Sequence, residues 1–139
     1  MEKEDKELLL RDLGARLPYK VKVFYEYVDE LDNKTYGYSL TLNTWCINEL
    51  VAEKATIKPY LRPMSSMTEE ELYEVQKILG KEVKILDDFI YIVDSSRKRF
   101  SFLELQAIFD WLNAHHLDYR GLIPIGLAIE APVDMYKID

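Results

Sequence analysis

The sequence is poor in the residues that build covalent or metal-bound frameworks. Its single cysteine, Cys46, cannot form an internal disulfide, and no Cys-x-x-Cys pair is present to hold zinc. The five glycines stand apart from one another, so no phosphate-binding loop or dinucleotide-binding fingerprint occurs. These absences exclude a disulfide-rich secreted fold and the common nucleotide-binding motifs. They predict a protein without a cofactor or a bound metal.

Long apolar runs and concentrated positive charge are also missing. No apolar stretch approaches the roughly 18 residues that span a bilayer, and Met1–Glu7 is acidic where a secretory signal would be basic and then apolar. The net charge is −7, and the basic run Arg97–Arg99 is too short to identify a nucleic-acid site. The sequence therefore predicts a cytoplasmic protein with neither a membrane nor a nucleic acid as its partner.

What is present is typical of an ordinary globular domain. The chain has 139 residues, of which 48% are hydrophobic and 31% charged, so a single domain over residues 1–139 is predicted. An alternative division into halves, 1–63 and 68–139, follows from the connector Lys58–Met67. Its two prolines, Pro59 and Pro63, predict neither a regular helix nor a central strand there.

The first half predicts a helix and a hairpin. Leucines at helical spacing predict a helix from Lys3 to Leu17, which Pro18 ends. Two alternating strands follow, and the hairpin they form has a tyrosine-rich face that we interpret as packing. The alternating apolar positions are Val21, Val23, Tyr25 and Tyr27 in one strand and Tyr36, Tyr38, Leu40 and Leu42 in the other. Residues 45–57 are predicted as one or two short strands, and an SH3-like barrel fragment is one interpretation of this half.

The second half predicts two helices around a second hairpin. Capping boxes mark both helix starts, at Thr68 with Glu71 and at Ser101 with Glu104. The first helix ends at Gly80, and the second is predicted to run to about His116. The hairpin joins residues 81–86 to 89–94 through Asp87-Asp88, with residues 89–93 as an inner strand. The whole order predicts an α+β fold with two antiparallel hairpins and three main helices packed on the sheet.

The segment His115-His116-Leu117-Asp118-Tyr119-Arg120 gathers the main candidate functional groups. One hypothesis makes His115 or His116 an acid, base or metal ligand, with Asp118 orienting the imidazole and Arg120 holding an anion. The competing interpretation is structural, because both histidines fall in the last turn of a helix beside its apolar stripe. There a histidine caps carbonyl groups, and we expect His116 to face the core more than His115 does.

The catalytic alternatives lack a complete set of residues. Neighbouring helical residues point about 100° apart, so two adjacent histidines do not converge on one metal. A triad of Cys46, His116 and Asp118 is compatible with the sequence, but a lone cysteine among apolar residues is more often part of a core. Adjacent Asp87 and Asp88 in a tight turn are usually solvated. No catalytic residue is therefore assigned.

Tyrosine and arginine offer a different hypothesis, because both are enriched where proteins bind one another. Tyr60 and Arg62 in the connector and Tyr119 and Arg120 after the last helix form the predicted interaction surface. We therefore predict a non-enzymatic binding or accessory protein whose partner is another protein or a second copy of itself. The alternative is a small hydrolase-like or metal-assisted enzyme centred on His115, His116 and Asp118.

Three stretches carry a resemblance to a known group of proteins. They are Lys58–Glu71, His115–Ile123 and Leu8–Tyr19, which together cover about a quarter of the chain. They resemble a family of uncharacterised small proteins from gut anaerobic bacteria and their phages. The resemblance implies an accessory protein of a phage or mobile element, and it implies no catalytic residue.

Overall fold

The structure is a computed structural model that describes residues 1–80, 82–86, 89–92 and 101–136. The Asp87-Asp88 turn and the basic run Arg97–Arg99 lie outside these ranges. The regular elements are α1 (Lys3–Arg16), β1 (Lys22–Val28), β2 (Thr35–Thr41), α2 (Thr44–Val51), β3 (Thr56–Leu61), α3 (Glu69–Leu79), β4 (Val83–Leu86), β5 (Phe89–Ile92), α4 (Phe102–Ala114) and β6 (Ile129–Glu130). None of the helices in these ranges has both the length and the apolar character that a bilayer crossing needs.

The chain divides into two compact units. Unit 1 comprises Met1–Leu61 with Leu122–Asp139, and unit 2 comprises Arg62–Gly121. The first boundary lies close to the predicted connector. The second differs from the predicted halves, because the C-terminal segment returns to unit 1 and adds β6 to its sheet.

Unit 1 is built on a mixed four-stranded sheet in the order β2-β1-β3-β6. β1 pairs antiparallel with β2 and with β3, whereas β6 is parallel to β3. The α+β class is confirmed, but the sheet is open, with β2 and β6 at its edges, and it is not an SH3-like barrel. The predicted face of β1 is buried, since Val21, Val23 and Tyr25 pack in one core with Leu9 and Leu13 of α1.

The prediction of strands from residue 45 onward is wrong for α2. Asn43 caps this helix by accepting a hydrogen bond from the backbone N–H of Cys46 at 3.0 Å. Cys46 and Leu50, one helical turn apart, are its buried residues. The aromatic and β-branched residues of the segment favoured a strand, and the cap together with this spacing overrode that propensity.

The prediction that the connector excludes an inner strand is also wrong, because β3 contains Pro59. Backbone groups of Lys22 and Tyr60 both point between β1 and β3, where the Tyr136 hydroxyl bonds to them. Alternation along β3 therefore turns the backbone nitrogen of Pro59 away from β1. On that side β6 begins only opposite Tyr60, so the missing N–H breaks no ladder bond.

In unit 2, α3 and α4 pack against a small core that is separate from the core of unit 1. Both capping boxes are confirmed, and Gly80 ends α3 with φ 66°, as its place after the helix predicts. β4 and β5 form the second hairpin, but β5 was predicted as an inner strand and bonds to β4 alone within the described ranges. The buried core residues are Met64, Val75, Leu79, Val83, Ile108, Leu112 and Leu117.

Candidate functional site

The histidine pair lies at the C-terminal end of α4, which ends at Ala114, two residues before the predicted end. His115 is the C-cap, and His116 adopts a left-handed φ of 60°. The His116 N–H donates to the Asn113 carbonyl at 3.1 Å, and the Leu117 N–H donates to the Leu112 carbonyl at 3.1 Å. This pair of bonds is the Schellman motif, in which the left-handed residue is most often glycine. His116 is thus the residue that turns the chain out of the helix.

A backbone bridge fastens this turn to the start of unit 2. The Arg62 N–H donates to the His116 carbonyl at 2.8 Å, and the Asp118 N–H donates to the Arg62 carbonyl at 2.8 Å. Leu117 lies between His116 and Asp118 and is fully buried. It forms an isolated parallel β-bridge with Arg62. We call residues 115–120 with Arg62 the corner. Asp118 is 95% buried there, and its backbone takes part in the fastening.

The side chain of Arg62 adds a second fastening, to the first turn of α3. Its two terminal nitrogens donate to the two carboxylate oxygens of Glu71 at 2.7 and 2.6 Å. Glu71 also accepts the Thr68 N–H at 3.0 Å as half of the capping box. The guanidinium reaches the carbonyls of Ser66 and His115 as well, at 3.2 and 3.4 Å. Arg62, predicted as a binding residue, is thus engaged inside unit 2.

Glu71 is held in its charged form by these contacts. Burial by itself would raise the pKa of Glu71, but the hydrogen bonds from Arg62 and Thr68, with the nearby charge of Arg62, lower it to about 2. The carboxylate is therefore ionised at every physiological pH. Its bidentate geometry with Arg62 is the form of ion pair that fixes orientation most strongly.

His115 rests on the surface of its own helix. Its ring stacks on Trp111 with the centroids 3.9 Å apart, and Nδ1 lies 2.8 Å from the Trp111 carbonyl oxygen. Nε2 is 3.9 Å from Glu74, whose carboxylate accepts the Trp111 indole N–H at 2.9 Å. His115, Trp111 and Glu74 thus form a small cluster that joins α4 to α3.

Tyr119 and Arg120 close the corner. The Tyr119 hydroxyl donates to the Asn113 side chain at 2.9 Å, and its ring lies 5.4 Å from Phe109. The Arg120 guanidinium lies 4.6 Å from the centre of the Tyr119 ring, at cation–π distance. Helical spacing places Leu105 and Phe109 on the same face of α4 as the buried Leu112, which predicts that both face the core. Both are instead exposed, although the Phe109 ring contacts Tyr119.

The corner therefore brings the predicted residues together in structural contacts. In the described ranges, no group of three or more His, Cys, Asp or Glu side chains could hold a metal ion. Cys46 is fully buried in the core of unit 1, as the structural interpretation of a lone cysteine predicts. Tyr60, the remaining predicted binding residue, belongs to unit 1, where its hydroxyl lies 2.9 Å from the Ser39 hydroxyl.

A second candidate site is the tyrosine-rich face of the first hairpin, which the sequence alone predicts to be a packing surface. The side chains on the tyrosine face of the hairpin contact one another in a series that α2 extends with a tryptophan. Tyr25 is central: its ring stacks on Trp45 at 4.9 Å and lies 5.3 Å from Tyr38. The series continues from Tyr25 to Tyr27 at 5.6 Å and from Tyr27 to Tyr36 at 5.9 Å. We call these five residues the aromatic strip.

Three members of the aromatic strip are open to solvent. Tyr36, Tyr38 and Trp45 are 41%, 45% and 45% exposed, whereas Tyr25 beneath them is 5% exposed. Alternation predicted the shared face but not that its outer half is uncovered. No sequence signal indicates this exposure, because it depends on β2 being paired on one side only, which leaves its rings at the margin of the core.

The aromatic strip is uncharged and offers hydroxyl groups. Burial, with the nearby Glu49 carboxylate, raises the pKa of Tyr25. The hydrogen bond that the Tyr36 hydroxyl donates to Asp32 raises the pKa of Tyr36. Both phenols are therefore protonated at neutral pH. β2 itself contains no charged residue, but the carboxylates of Glu49 and Asp32 border the strip at the hydroxyls of Tyr25 and Tyr36.

A cleft of about 520 Å³ lies at the end of the strip, lined by Tyr27, Leu50 and Thr56 among others. Charged groups of both signs surround it. Lys6 is engaged by the Val51 carbonyl at 3.0 Å and by Glu53 at 3.1 Å. The cleft therefore shows no preference for one charged ligand, and the strip remains the more distinctive feature.

Comparisons with family models, with curated proteins and with solved structures find no match to this chain.

Proposed function

We propose that this protein is a non-enzymatic binding protein that contacts a protein partner through the aromatic strip. The observation that carries the proposal is the exposure of Tyr36, Tyr38 and Trp45 on a strip whose rings already contact one another. Large exposed apolar surfaces on soluble proteins commonly mark interaction sites. Tyrosine and tryptophan are also the residues most enriched among those that dominate binding energy.

The strip has the physical properties that such a surface needs. Its rings are supported by the buried Tyr25, so binding orders them at little additional cost in side-chain entropy. Their hydroxyl groups can satisfy polar atoms of a partner while the rings bury apolar area.

The enzymatic alternative has weaker support. A hydrolase-like site needs His115 or His116 to reach a substrate together with Asp118. In the corner, His116 supplies the left-handed turn, Asp118 is buried and His115 stacks on Trp111. These contacts favour a structural role for the corner.

The proposal is tested by binding. A photo-crosslinking residue at position 38 identifies the partner in cells that express the protein, and the same residue at Tyr73, exposed on α3, serves as a matched control. The dissociation constant for the purified partner is then measured for Tyr36→Thr/Tyr38→Thr, which keeps residues of high strand propensity. We expect binding to weaken at least roughly tenfold, while Tyr73→Thr and His115→Ala leave it unchanged.

Unchanged binding by the double variant would contradict the proposal. So would a loss of binding that follows His115→Ala and not the strip variant, since that result would move the site to the corner.

A further inference from the structure

β2 presents one complete backbone edge to solvent. The Leu42 N–H bonds to the Val21 carbonyl and the Asp29 N–H to the Lys34 carbonyl, so even-numbered residues of this strand face β1. The backbone groups of the intervening residues point outward. These are Thr35, Gly37, Ser39 and Thr41. In the described part of the chain, β1 is the only strand paired with β2.

This edge lacks the usual protection against strand pairing. Natural edge strands are blunted by charge, proline, bulges or short length. β2 has seven residues in an unbroken register with β1, and it contains neither a charge nor a proline. Six of the seven residues are exposed, and Leu40 is half-buried. In a chain that is 31% charged, this is a neutral template for another strand.

We propose that the partner of this edge is a second copy of the same chain, whose β2 pairs antiparallel with β2 and is centred on Tyr38. The inference rests on the proposed function and names the partner of the aromatic strip. Pairing of this kind gains affinity from main-chain hydrogen bonds and specificity from the side chains that flank them. It would join two four-stranded sheets into one.

The register follows from the outward residues. When Tyr38 lies opposite Tyr38 of the second copy, Gly37 meets Ser39 and Thr35 meets Thr41, so every outward backbone group has a partner. Sliding one strand by two residues leaves an outward residue at one end of each strand without a partner. Sliding it by one residue opposes outward and inward groups. The centred register therefore satisfies the most hydrogen bonds.

Side-chain chemistry favours self-pairing in this register. Tyr38 packs on its own counterpart, and Tyr36 lies opposite Leu40, an aromatic–aliphatic pair. No like charges are opposed, because the strand has none. The exposed tyrosines of the strip would then lie beside the seam and become buried by the other copy.

The ends of the paired strands are also complementary in charge. The acidic turn that precedes β2, with Asp29, Glu30 and Asp32, would lie near the start of α2 in the other copy. The first turn of α2 has no acidic residue of its own. A carboxylate from outside can therefore complement the positive end of that helix.

The decisive experiment uses two neighbouring cysteine variants. In the centred register Tyr38 lies opposite itself at a non-hydrogen-bonded pair, where the Cα atoms are about 4.5 Å apart and a disulfide can form. Ser39 is displaced from its own counterpart by two residues, roughly 8 Å, which is too far. We expect Tyr38→Cys to give a disulfide-linked dimer under mild oxidation and Ser39→Cys to remain unlinked. Cys46 does not interfere, because it is fully buried.

Sedimentation equilibrium supplies an independent readout. The unmodified protein should sediment as a dimer in equilibrium with monomer, and Ser39→Pro should weaken dimerisation at least roughly tenfold. The Ser39 N–H points outward, so the proline removes a backbone bond between copies and none to β1. It also removes the Ser39 hydroxyl that lies 2.9 Å from the Tyr60 hydroxyl, so circular dichroism checks that the fold is retained. If this variant does not fold, the cysteine pair alone decides the question.

Three results would overturn the inference. The first is a monomer at all concentrations, and the second is equal disulfide linking of Tyr38→Cys and Ser39→Cys. The third is a dimer that Tyr38→Cys does not link and Ser39→Pro does not weaken. A monomer whose position 38 crosslinks to a different protein refutes self-pairing and leaves the proposed function intact. Conversely, a β2-paired dimer that binds a partner equally well with Tyr36→Thr/Tyr38→Thr refutes the proposed function alone.

Discussion

Unit 1 and unit 2 each contain an arginine–carboxylate pair, and the two pairs sit in contrasting surroundings. In unit 1, Asp12 and Arg16 lie one turn apart in α1, 2.9 Å from each other, with both side chains fully buried. In unit 2, Arg62 and Glu71 come from different segments and keep 21% and 15% of their side-chain surface exposed. The first pair lies within one helix, whereas the second joins two parts of a unit.

The difference shows what an ion pair contributes at each site. Bringing two charges into a core costs several kcal/mol, so the pair in α1 adds little net stability but is costly to break. The pair in unit 2 loses less hydration and orders the connector, the start of α3 and the corner by its bidentate geometry. The Asp12–Arg16 pair therefore matters mainly because breaking it destabilises unit 1. The Arg62–Glu71 pair mainly fixes the orientation of the segments that it joins.

The largest expected effect comes from breaking the buried pair. Asp12→Ala removes a carboxylate that lies 2.9 Å from the buried Arg16 guanidinium, and we expect it to lower the free energy of unfolding of unit 1 by about 3–5 kcal/mol. Glu7→Ala, an exposed acid in the same helix, should change it by less than about 0.5 kcal/mol. Urea unfolding of a Trp111→Phe protein, followed through Trp45, reports on unit 1. Equal effects of the two variants would show that the pair carries no such cost.

The pair in unit 2 is probed by pH. The folded-state pKa of Glu71, about 2, lies below the ordinary value of 4.5, so its ionised contacts stabilise unit 2 above pH 4.5. That stability is lost as the pH falls from about 4.5 to about 2. We expect Glu71→Gln to cost about 1–3 kcal/mol at pH 7 and to remove most of this acid dependence. The stability of unit 2 is measured by following unfolding through Trp111 fluorescence in proteins that carry Trp45→Phe. Glu70→Gln, at an exposed position, is the control. The assignment would be refuted if the stability of Glu71→Gln fell between pH 4.5 and 2 as steeply as that of the protein with Glu71.

A smaller effect is expected from a hydroxyl group that unit 1 uses in place of strand pairing. The Tyr136 hydroxyl accepts the Lys22 N–H at 2.9 Å and donates to the Tyr60 carbonyl at 2.7 Å. Burial raises its pKa to about 12, so it remains a donor at neutral pH. Tyr136→Phe should destabilise unit 1 by about 1–2 kcal/mol, because two backbone groups lose a partner. Tyr73→Phe, at an exposed ring, should be neutral, and an equal loss there would contradict the explanation.

The smallest effect separates the two histidines of the corner. His116 has φ 60°, a conformation that glycine adopts without strain, so His116→Gly should be more stable than His116→Ala by about 1 kcal/mol. His115 has φ −97°, so His115→Gly should instead be no more stable than His115→Ala. Thermal unfolding of the four variants gives both differences. The same order at both positions would argue against the left-handed turn.

Local signals explain which elements could be predicted. The helices of unit 2 are bounded by the capping boxes at Thr68 and Ser101, and Gly80 marks one end, so their positions follow from a few adjacent residues. α2 and β3 lack such unambiguous signals. Propensity favoured a strand in α2 despite its local Asn43 cap, and Pro59 argued against β3 because the sequence does not show which neighbour its nitrogen faces.

The same limit applies to the candidate sites. The structural interpretation of the histidine pair follows from its place at a helix end, and the backbone bonds of His116 are those of a helix-ending turn. Its fastening to Arg62 could not be predicted, since it joins residues more than 50 positions apart. Burial of Arg16 and exposure of Tyr38 were equally inaccessible, because a periodic pattern defines a face but not how much of it the rest of the chain covers.

The insertion of residues 62–121 between β3 and β6 has a consequence for the order of folding. Unit 2 is one continuous segment, so its contacts can form as soon as that segment has left the ribosome. Unit 1 must wait for residues 122–136, which bring β6 and the Tyr136 hydroxyl to an otherwise unfinished sheet. Long loop closure slows such contacts. During synthesis β1, β2 and β3 therefore exist without their last partners, and the unprotected edge of β2 is open throughout that interval.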